Sequence, residues 1–459
     1  MLISLGLLLL LGGGYYGAIA WQRNQAANIP ITPSPGFQRI GNLEASRLTR
    51  IETPIMILER TDDLWQVTSL NGGPPPSEDI QLDQRQIMNL SFSLAGILID
   101  SVIDEDPEDI SIFGLDDPSA WAIVYDIDGN RAEYIRGDLT PSRTSFYAME
   151  KGDPRVFTIS TFSGDNFLFD LDRIRLRTYF PVMDFETTAS FRLEPPDERP
   201  IEIGLRTGIA PLHLTTSFTS FFMHSPYALM RGVDSEAFND NILGPLSMIN
   251  MEGFVDDNPS SLVPYGLDRP TRLQVQSTFG ESLELLVGNW RQGTHFAMLP
   301  GENRVLAVSG LDSIMQIRPF TLVEKFALLV NIDYVERINI TGERGLLTAE
   351  VQGQRDDAIF FLNGRRAEDR PFRQWYQTVI GLLFDAEYPG PVQTQDTGEG
   401  SITIEYELNL FPGARASITL IPYNRDFYAL SQEGSIEFLI SRNQVNNIWD
   451  TFNTMTYMD

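Results

Sequence analysis

Cysteine is absent from the 459-residue chain. That removes disulfides, thiolate metal sites, cysteine nucleophiles and a lipid-modified N-terminal cysteine. Lysine is nearly absent: Lys151 and Lys325 are the two present, and neither stands in a Gly-Lys-Ser/Thr context, so a P-loop is excluded. Histidine is limited to His213, His224 and His295, with no His-Glu-x-x-His helix and no metal-ligand spacing. Gly-x-Ser-x-Gly and Ser-x-x-Lys are missing too, so the familiar serine nucleophile arrangements do not apply. No catalytic, cofactor-binding or metal residue emerges from the pattern.

Positive charge is scarce as a whole. Against 62 Asp+Glu there are 34 Lys+Arg, a net charge of −28. Such a surface repels phosphate backbones, which argues against nucleic acid as a partner. It also repels anionic headgroups, so the body is not expected to lie flat on a bilayer. Apolar residues at 42% and charged residues at 21% are ordinary for globular chains. The length suggests about two to four domains.

Charge is also missing from Leu2 to Trp21, an apolar run holding Leu7 to Leu11, Gly12 to Gly14, Tyr15 and Tyr16. At about 1.5 Å per residue it spans a hydrocarbon core of about 30 Å. A transmembrane anchor over 1–22 and an irregular tether over 23–49, rich in proline near Pro30, Pro33 and Pro35, are expected. The alternative is a cleaved signal peptide, since Ala18-Ile19-Ala20 has small-x-small character. No Lys or Arg precedes the run and Arg23 follows it. A single apolar segment at the N-terminus is nonetheless the usual export layout, so a single-pass protein with a periplasmic, extracytoplasmic body is expected.

What the chain has in quantity is itself. Tyr147 to Ser160 and Phe296 to Ser309 align without a gap, with six of fourteen positions identical. Phe427 to Leu430 and Phe438 to Ser441 match Phe146 to Met149 and Phe157 to Ser160, again without a gap. Each copy reads as strand, Gly-containing turn and strand. Upstream, Phe113-Gly114-Leu115-Asp116-Asp117-Pro118 corresponds to Tyr265-Gly266-Leu267-Asp268-Arg269-Pro270, and no third copy of this motif exists. Helices are predicted over Gln84 to Ile103, Pro371 to Phe384 and, more weakly, Ser235 to Met251 with an interruption at Gly244-Pro245. Leu64 to Val67 and Ala358 to Leu362 read as strands ahead of the first and third helices. The fold class is therefore α+β: three related units at 50–183, 184–332 and 333–459, each a mostly antiparallel sheet with a helix packed on it.

The recurring Gly-Leu-Asp-x-Pro motif is read as a structural turn. Gly114 and Gly266 permit positive φ, Leu115 and Leu267 anchor the turn to the core, Asp116 and Asp268 bond a nearby backbone N–H, and Pro118 and Pro270 fix the exit. His295, aligned with Phe146 and Phe427, is expected to fill a packing position. His213 and His224 are expected to be structural. Asp104-Glu105-Asp106 and Asp256-Asp257 read as solvated acidic loops rather than cation sites. Asp126-Ile127-Asp128-Gly129-Asn130 starts like a calcium loop but has Arg131 and Gly137 where Gly and Glu belong, so a hairpin turn is the better reading. Trp65, Trp121, Trp290, Trp375 and Trp449 are assigned to packing rather than to sugar stacking.

An apolar N-terminal segment, then the strand Leu64-Trp65-Gln66-Val67-Thr68, a helix and the Phe/Tyr-Gly-Leu-Asp-x-Pro motif together resemble a bacterial family, domain of unknown function 4340. The resemblance covers about 50–180 and 215–325 and, in the last third, Phe427 to Ser441 alone. It implies a single-span protein often encoded beside gliding-motility-type ABC transporter auxiliary subunits, and it carries no catalytic residue. The function expected is a non-enzymatic accessory or scaffold protein of an ABC transporter or envelope complex. An envelope polysaccharide-binding module and a carboxylate-dependent hydrolase are the alternatives.

Overall fold

The computed structural model describes residues 38–206, 219–353, 355–390 and 400–458. The expected anchor, the tether up to residue 37 and His213 lie outside them. From residue 38 on, the stretch counted above with the tether is already part of the fold. Arg39–Ile40 pairs antiparallel with Ile97–Leu98, and Ile40 is buried. No helix among the described residues is long and apolar enough to cross a membrane. The chain divides into two compact units, one ending at Arg177 and one starting at Thr178.

Antiparallel sheets dominate, with few helices, so the class is α+β. Hydrogen-bonded order in the first sheet is Leu64–Leu70, Met56–Thr61, Leu48–Glu52, Ala120–Asp126, Arg131–Leu139, Ser145–Glu150, Val156–Ser160 and Ser101–Asp104. In the second it is Arg231–Gly232, Phe221–Ser225, Ile201–Leu205, Thr188–Glu194, Thr271–Ser277, Ser282–Arg291, Thr294–Met298, Val305–Ser309 and Asn250–Asp256. In the third it is Arg365–Ala367, Ile359–Leu362, Gly345–Gln352, Val335–Gly342, Ile402–Leu408, Ala414–Pro422, Phe427–Gln432, Ser435–Ser441 and Ala386–Glu387. Apart from the first position, which the first sheet lacks, the three orders are the same. The segments ending at Ser160, Ser309 and Ser441 occupy one place, next to the strand that follows the helix.

The third match was off by one residue in its first strand. Phe157 pairs with Ala148, but Phe438 pairs with Leu430 rather than with Ala429. A bulge between Leu430 and Ser431 absorbs the extra residue. A one-residue slip exchanges the faces of a strand. Tyr428 and Leu430 accordingly face the core, while their ungapped counterparts Tyr147 and Met149 lie in a satellite cluster.

In the first unit, Gln84–Ala95 buries Ile87, Leu90, Ser91 and Leu94, a helical stripe, against Leu48, Ile51, Val124 and Phe157. Asp83 caps it, accepting from the Arg85 and Gln86 N–H groups at 2.9 and 3.3 Å. The helix is shorter than the predicted run to Ile103. It stops at Gly96, and the β-branched residues beyond it form Ile97–Leu98 and Ser101–Asp104. In the second unit, the helix equivalent runs through the expected interruption as Ser235–Phe238, a π-turn Asn239–Leu243 and Gly244–Leu246. Pro245 has no N–H to give, and the wide turn accommodates its ring. Asp369–Ile380 buries Phe372, Trp375, Tyr376 and Val379.

A closing clasp recurs three times and was not read from the sequence. Each copy's last residues return to the residue before its helix: Leu82 bridges Arg175, Val233 bridges Val323, and Ala367 bridges Tyr457. The N–H groups of Asp83, Asp234 and Glu368 donate to Ile174, Leu322 and Thr456 carbonyls at 2.8, 2.9 and 3.1 Å. Those of Leu176, Glu324 and Met458 donate back to Gln81, Gly232 and Arg366 at 2.9, 2.8 and 2.9 Å. Helical turns after Ser160 and Ser309, and the helix Arg442–Asn453 after Ser441, lead into these clasps.

Candidate functional sites

The Gly-Leu-Asp turns are built alike in the first two sheets. A 3-10 turn, Ser111–Phe113 or Val263–Tyr265, ends at Gly114 or Gly266 with φ of 66° and 67°. Leu115 N donates to Ile110 O and Leu267 N to Leu262 O, both at 3.1–3.2 Å. This six-residue closure with a left-handed glycine and an apolar residue after it is a Schellman cap. Leu115 packs in a small cluster with Phe113, Val156, Tyr147, Met149 and Ile135. Leu267 does so with Tyr265, Val305, Phe296, Met298 and Leu286, the equivalent set.

A second glycine in each turn escaped the sequence reading. A Cβ on Gly137 would lie 2.1 Å from Phe113 O, and one on Gly288 would lie 2.2 Å from Tyr265 O. The turn backbone rests flush on the neighbouring strand, which no side chain permits. The signal was present, because each of these glycines follows its turn glycine at nearly the same distance, Gly137 after Gly114 and Gly288 after Gly266, and precedes the matched hairpin. Asp116 and Asp268 differ from expectation: both are exposed, and among the described residues neither carboxylate takes a hydrogen bond or an ion pair. The Schellman bonds already satisfy the local N–H groups, which leaves these carboxylates nothing to cap.

The acidic loops are Asx turns. Asp104 Oδ1 accepts from Asp106 N and Asp256 Oδ1 from Asn258 N, each at 3.1 Å. Asp256 also accepts from the Tyr265 hydroxyl at 2.8 Å, which raises that phenol above its ordinary range. Asp126 closes its hairpin by accepting from Asp128 N, Asn130 N and Asn130 Nδ2 at 2.8–2.9 Å. His295 is buried, its Nδ1 3.2 Å from Gly288 O and its Nε2 3.6 Å from Asp312. His224 is exposed on Phe221–Ser225. Trp65, Trp375 and Trp449 are buried, whereas Trp290 is exposed at a hairpin end.

The second unit also contains a cleft of about 720 Å³, lined by Tyr227, Phe320, Glu387, Tyr388, Ile436 and Glu437 among others. Behind it lies Arg231, fully inside the protein. Its guanidinium donates to Glu437 Oε2 and Gln432 Oε1, both at 2.6 Å, and sits 4.9 Å from the Phe438 ring centroid. Burial pushes Arg231 below its ordinary range, and the Glu437 carboxylate opposes that shift. Phe384 stacks on Phe438 at 4.1 Å. The Tyr227 hydroxyl donates to Glu387 at 2.6 Å; burial first, and this bond second, raise it above the ordinary phenol range. It therefore stays a proton donor. The linking segment completes the join: Glu324 N donates to Gly232 O and Ala327 N to Leu382 O, both at 2.8 Å.

With both turns and the cleft described, the family can be named. A model of the family described as Domain of unknown function (DUF4340) matches residues 65–270 and 233–378, together more than half of the chain. The chain belongs to that family. The two matches overlap, and each includes the turn at Gly266. No curated protein and no solved structure matches.

Proposed function

We propose that this member of the family is a membrane-anchored, non-catalytic accessory protein that works through protein–protein contacts, at an ABC transporter or another envelope complex. In this reading the charge-free run from Leu2 to Trp21 is the anchor, and the body stands outside the cytoplasm as three copies of one ancestral unit. The observation that carries it is what the three sheets hold in common. Strand order and closing clasp, and in two sheets the glycine-backed turn, are devices of shape. Chemistry-bearing groups do not recur in this way: His295 lies in the second copy, and Arg231 of the second copy forms a single pair with Glu437 of the third. Repeated, rigid, acidic frames are suited to presenting surfaces rather than to turnover.

A second reading, an envelope polysaccharide-binding module, is supported by the cleft. Tyr227 and Tyr388 offer rings, and Glu387 offers a carboxylate, of the kind that hold sugars. Purification of the full chain from detergent-solubilised membranes separates the two. Transporter subunits retained through stringent washing are the expected result. A chain that purifies alone yet binds envelope polysaccharide would favour the second reading. Turnover abolished by replacing a pair of carboxylates would overturn the non-catalytic assignment.

A further inference from the structure

We propose that the Gly-Leu-Asp turns of the first and second sheets are twin docking points for a partner protein segment in which an Arg or Lys lies next to an apolar side chain. The proposal rests on the protein-contact reading above. Each turn carries two large apolar side chains in solvent. Ile112 is 70% exposed and Val263 64%, both within the 3-10 turn itself. Leu139 is 42% exposed and Trp290 59%, each two residues beyond the glycine on which the turn rests. Single exposed apolar residues are common and mean little. Here Leu139 and Trp290 hold one place relative to that glycine. Each 3-10 turn adds an exposed apolar side chain, at its second position in the first sheet and its first position in the second, so apolar surface flanks the recurring motif in both copies.

The carboxylate supplies the second element. Gly114 and Gly266 are required by their positive φ, and Leu115 and Leu267 by their packing. Nothing inside the fold requires Asp116 or Asp268, which are exposed and bond to no described residue. An acid retained at such a place, beside an apolar pair, fits a group outside the fold. Its complement is a cation. Around the first turn Asp117 and Asp138 add to the negative field, with Asp138 held against Gly114. Around the second, Arg269 is taken up by Asp197 at 2.5 Å, leaving Asp268 its charge. An anionic bilayer is repelled by this surface, whereas a basic, partly apolar protein segment is attracted. The Schellman cap and the glycine contact hold the site rigid before any partner arrives, which lowers the ordering cost of binding.

The test uses the full chain in its own membrane, with a photo-crosslinking amino acid at position 112 or 263 and a control at exposed Phe411 of the third sheet, which lacks the motif. The same protein captured from 112 and 263 but not from 411, joined through a segment bearing Arg or Lys, is expected. Asp116→Lys with Asp268→Lys should cut the adduct about tenfold or more, with Asp116→Asn and Asp268→Asn intermediate and the melting midpoint unchanged. Absence of an adduct, an equal one at 411, indifference to charge reversal, or lipid adducts alone would each overturn the proposal. If the charge-reversed chain still co-purifies with a membrane complex, the accessory reading stands and this inference falls. If neither chain finds a partner, both fall.

Discussion

The first and third sheets make the same turn and then part. Asn71-Gly72 and Asn363-Gly364 both take left-handed φ, at 52° and 72° and at 48° and 76°. This is the two-residue hairpin pattern that reverses a strand. In the third sheet the chain returns as the outer strand Arg365–Ala367. In the first it makes a single bridge at Gly73 and then meets Pro74-Pro75-Pro76, which have no N–H to offer a ladder. The second sheet does have an outer strand, Arg231–Gly232, and from it Arg231 reaches the third sheet. The same topology can therefore stop or be extended according to three residues after one hairpin. Second and third sheets share one continuous core; the first keeps its own.

Breaking the join should have the largest effect. Arg231→Ala leaves Glu437 buried without its cation and is expected to cost about 3–5 kcal/mol. Calorimetry should show the transition of the second unit fall while that of the first holds. Arg231→Met with Glu437→Leu should restore most of the loss, because an apolar pair of similar volume replaces two desolvated charges. Next come the glycine contacts. Gly137→Ala and Gly288→Ala force a Cβ against a carbonyl, and each is expected to cost about 1–3 kcal/mol in its own unit and nothing in the other. Equal midpoints for wild type and both variants would contradict the close approach. Gly114→Val and Gly266→Val should behave similarly, through φ.

Helix caps sharpen the comparison at a finer scale. Asp83 and Asp234 accept N–H bonds at their helix starts, whereas Glu368 makes no such bond. Asp83→Ala and Asp234→Ala should each cost about 1 kcal/mol and Glu368→Ala clearly less, measured by chemical denaturation. The smallest effect is on acid stability. The Asn130 side chain holds Asp126 below the ordinary carboxylate range. A depressed native value stabilises above the unfolded value, near 4, and the gain is lost as pH falls through the native one. In the second sheet Ser277 Oγ accepts from Phe279 N at 3.0 Å in the corresponding turn, and a hydroxyl does not titrate in the acid range. Asp126→Asn should flatten the acid limb of the first unit alone.

Much of this was legible in residues. The gapless match of Tyr147 to Ser160 with Phe296 to Ser309 survives because both hairpins keep one register, so identity and geometry agree. In the third copy a bulge moved one strand by a residue, and similarity of side chains concealed an exchange of faces. The predicted helix to Ile103 ran too long because Ile97, Val102 and Ile103 continue a helical spacing that Gly96 ends. The clasps left no trace because they are backbone bonds between residues of unlike kinds, Leu82 with Arg175 or Ala367 with Tyr457. The turns were visible as a motif, but Asp116 and Asp268 were assigned to capping since sequence does not show which N–H groups the Schellman bonds have already taken. Gly137 and Gly288 were overlooked because a glycine within a strand advertises no partner.

The clasp imposes an order of events on synthesis. Each copy stays unfastened until its last residues leave the ribosome, since they alone satisfy the N–H of the residue before its helix. Chains emerge at about 5–20 residues per second, so the first copy has several seconds to close before the second is finished. The third cannot be fastened before Met458 is made. A message cut short anywhere in that copy thus yields a protein with one unbuttoned end, open to proteolysis, while the first unit upstream is already whole.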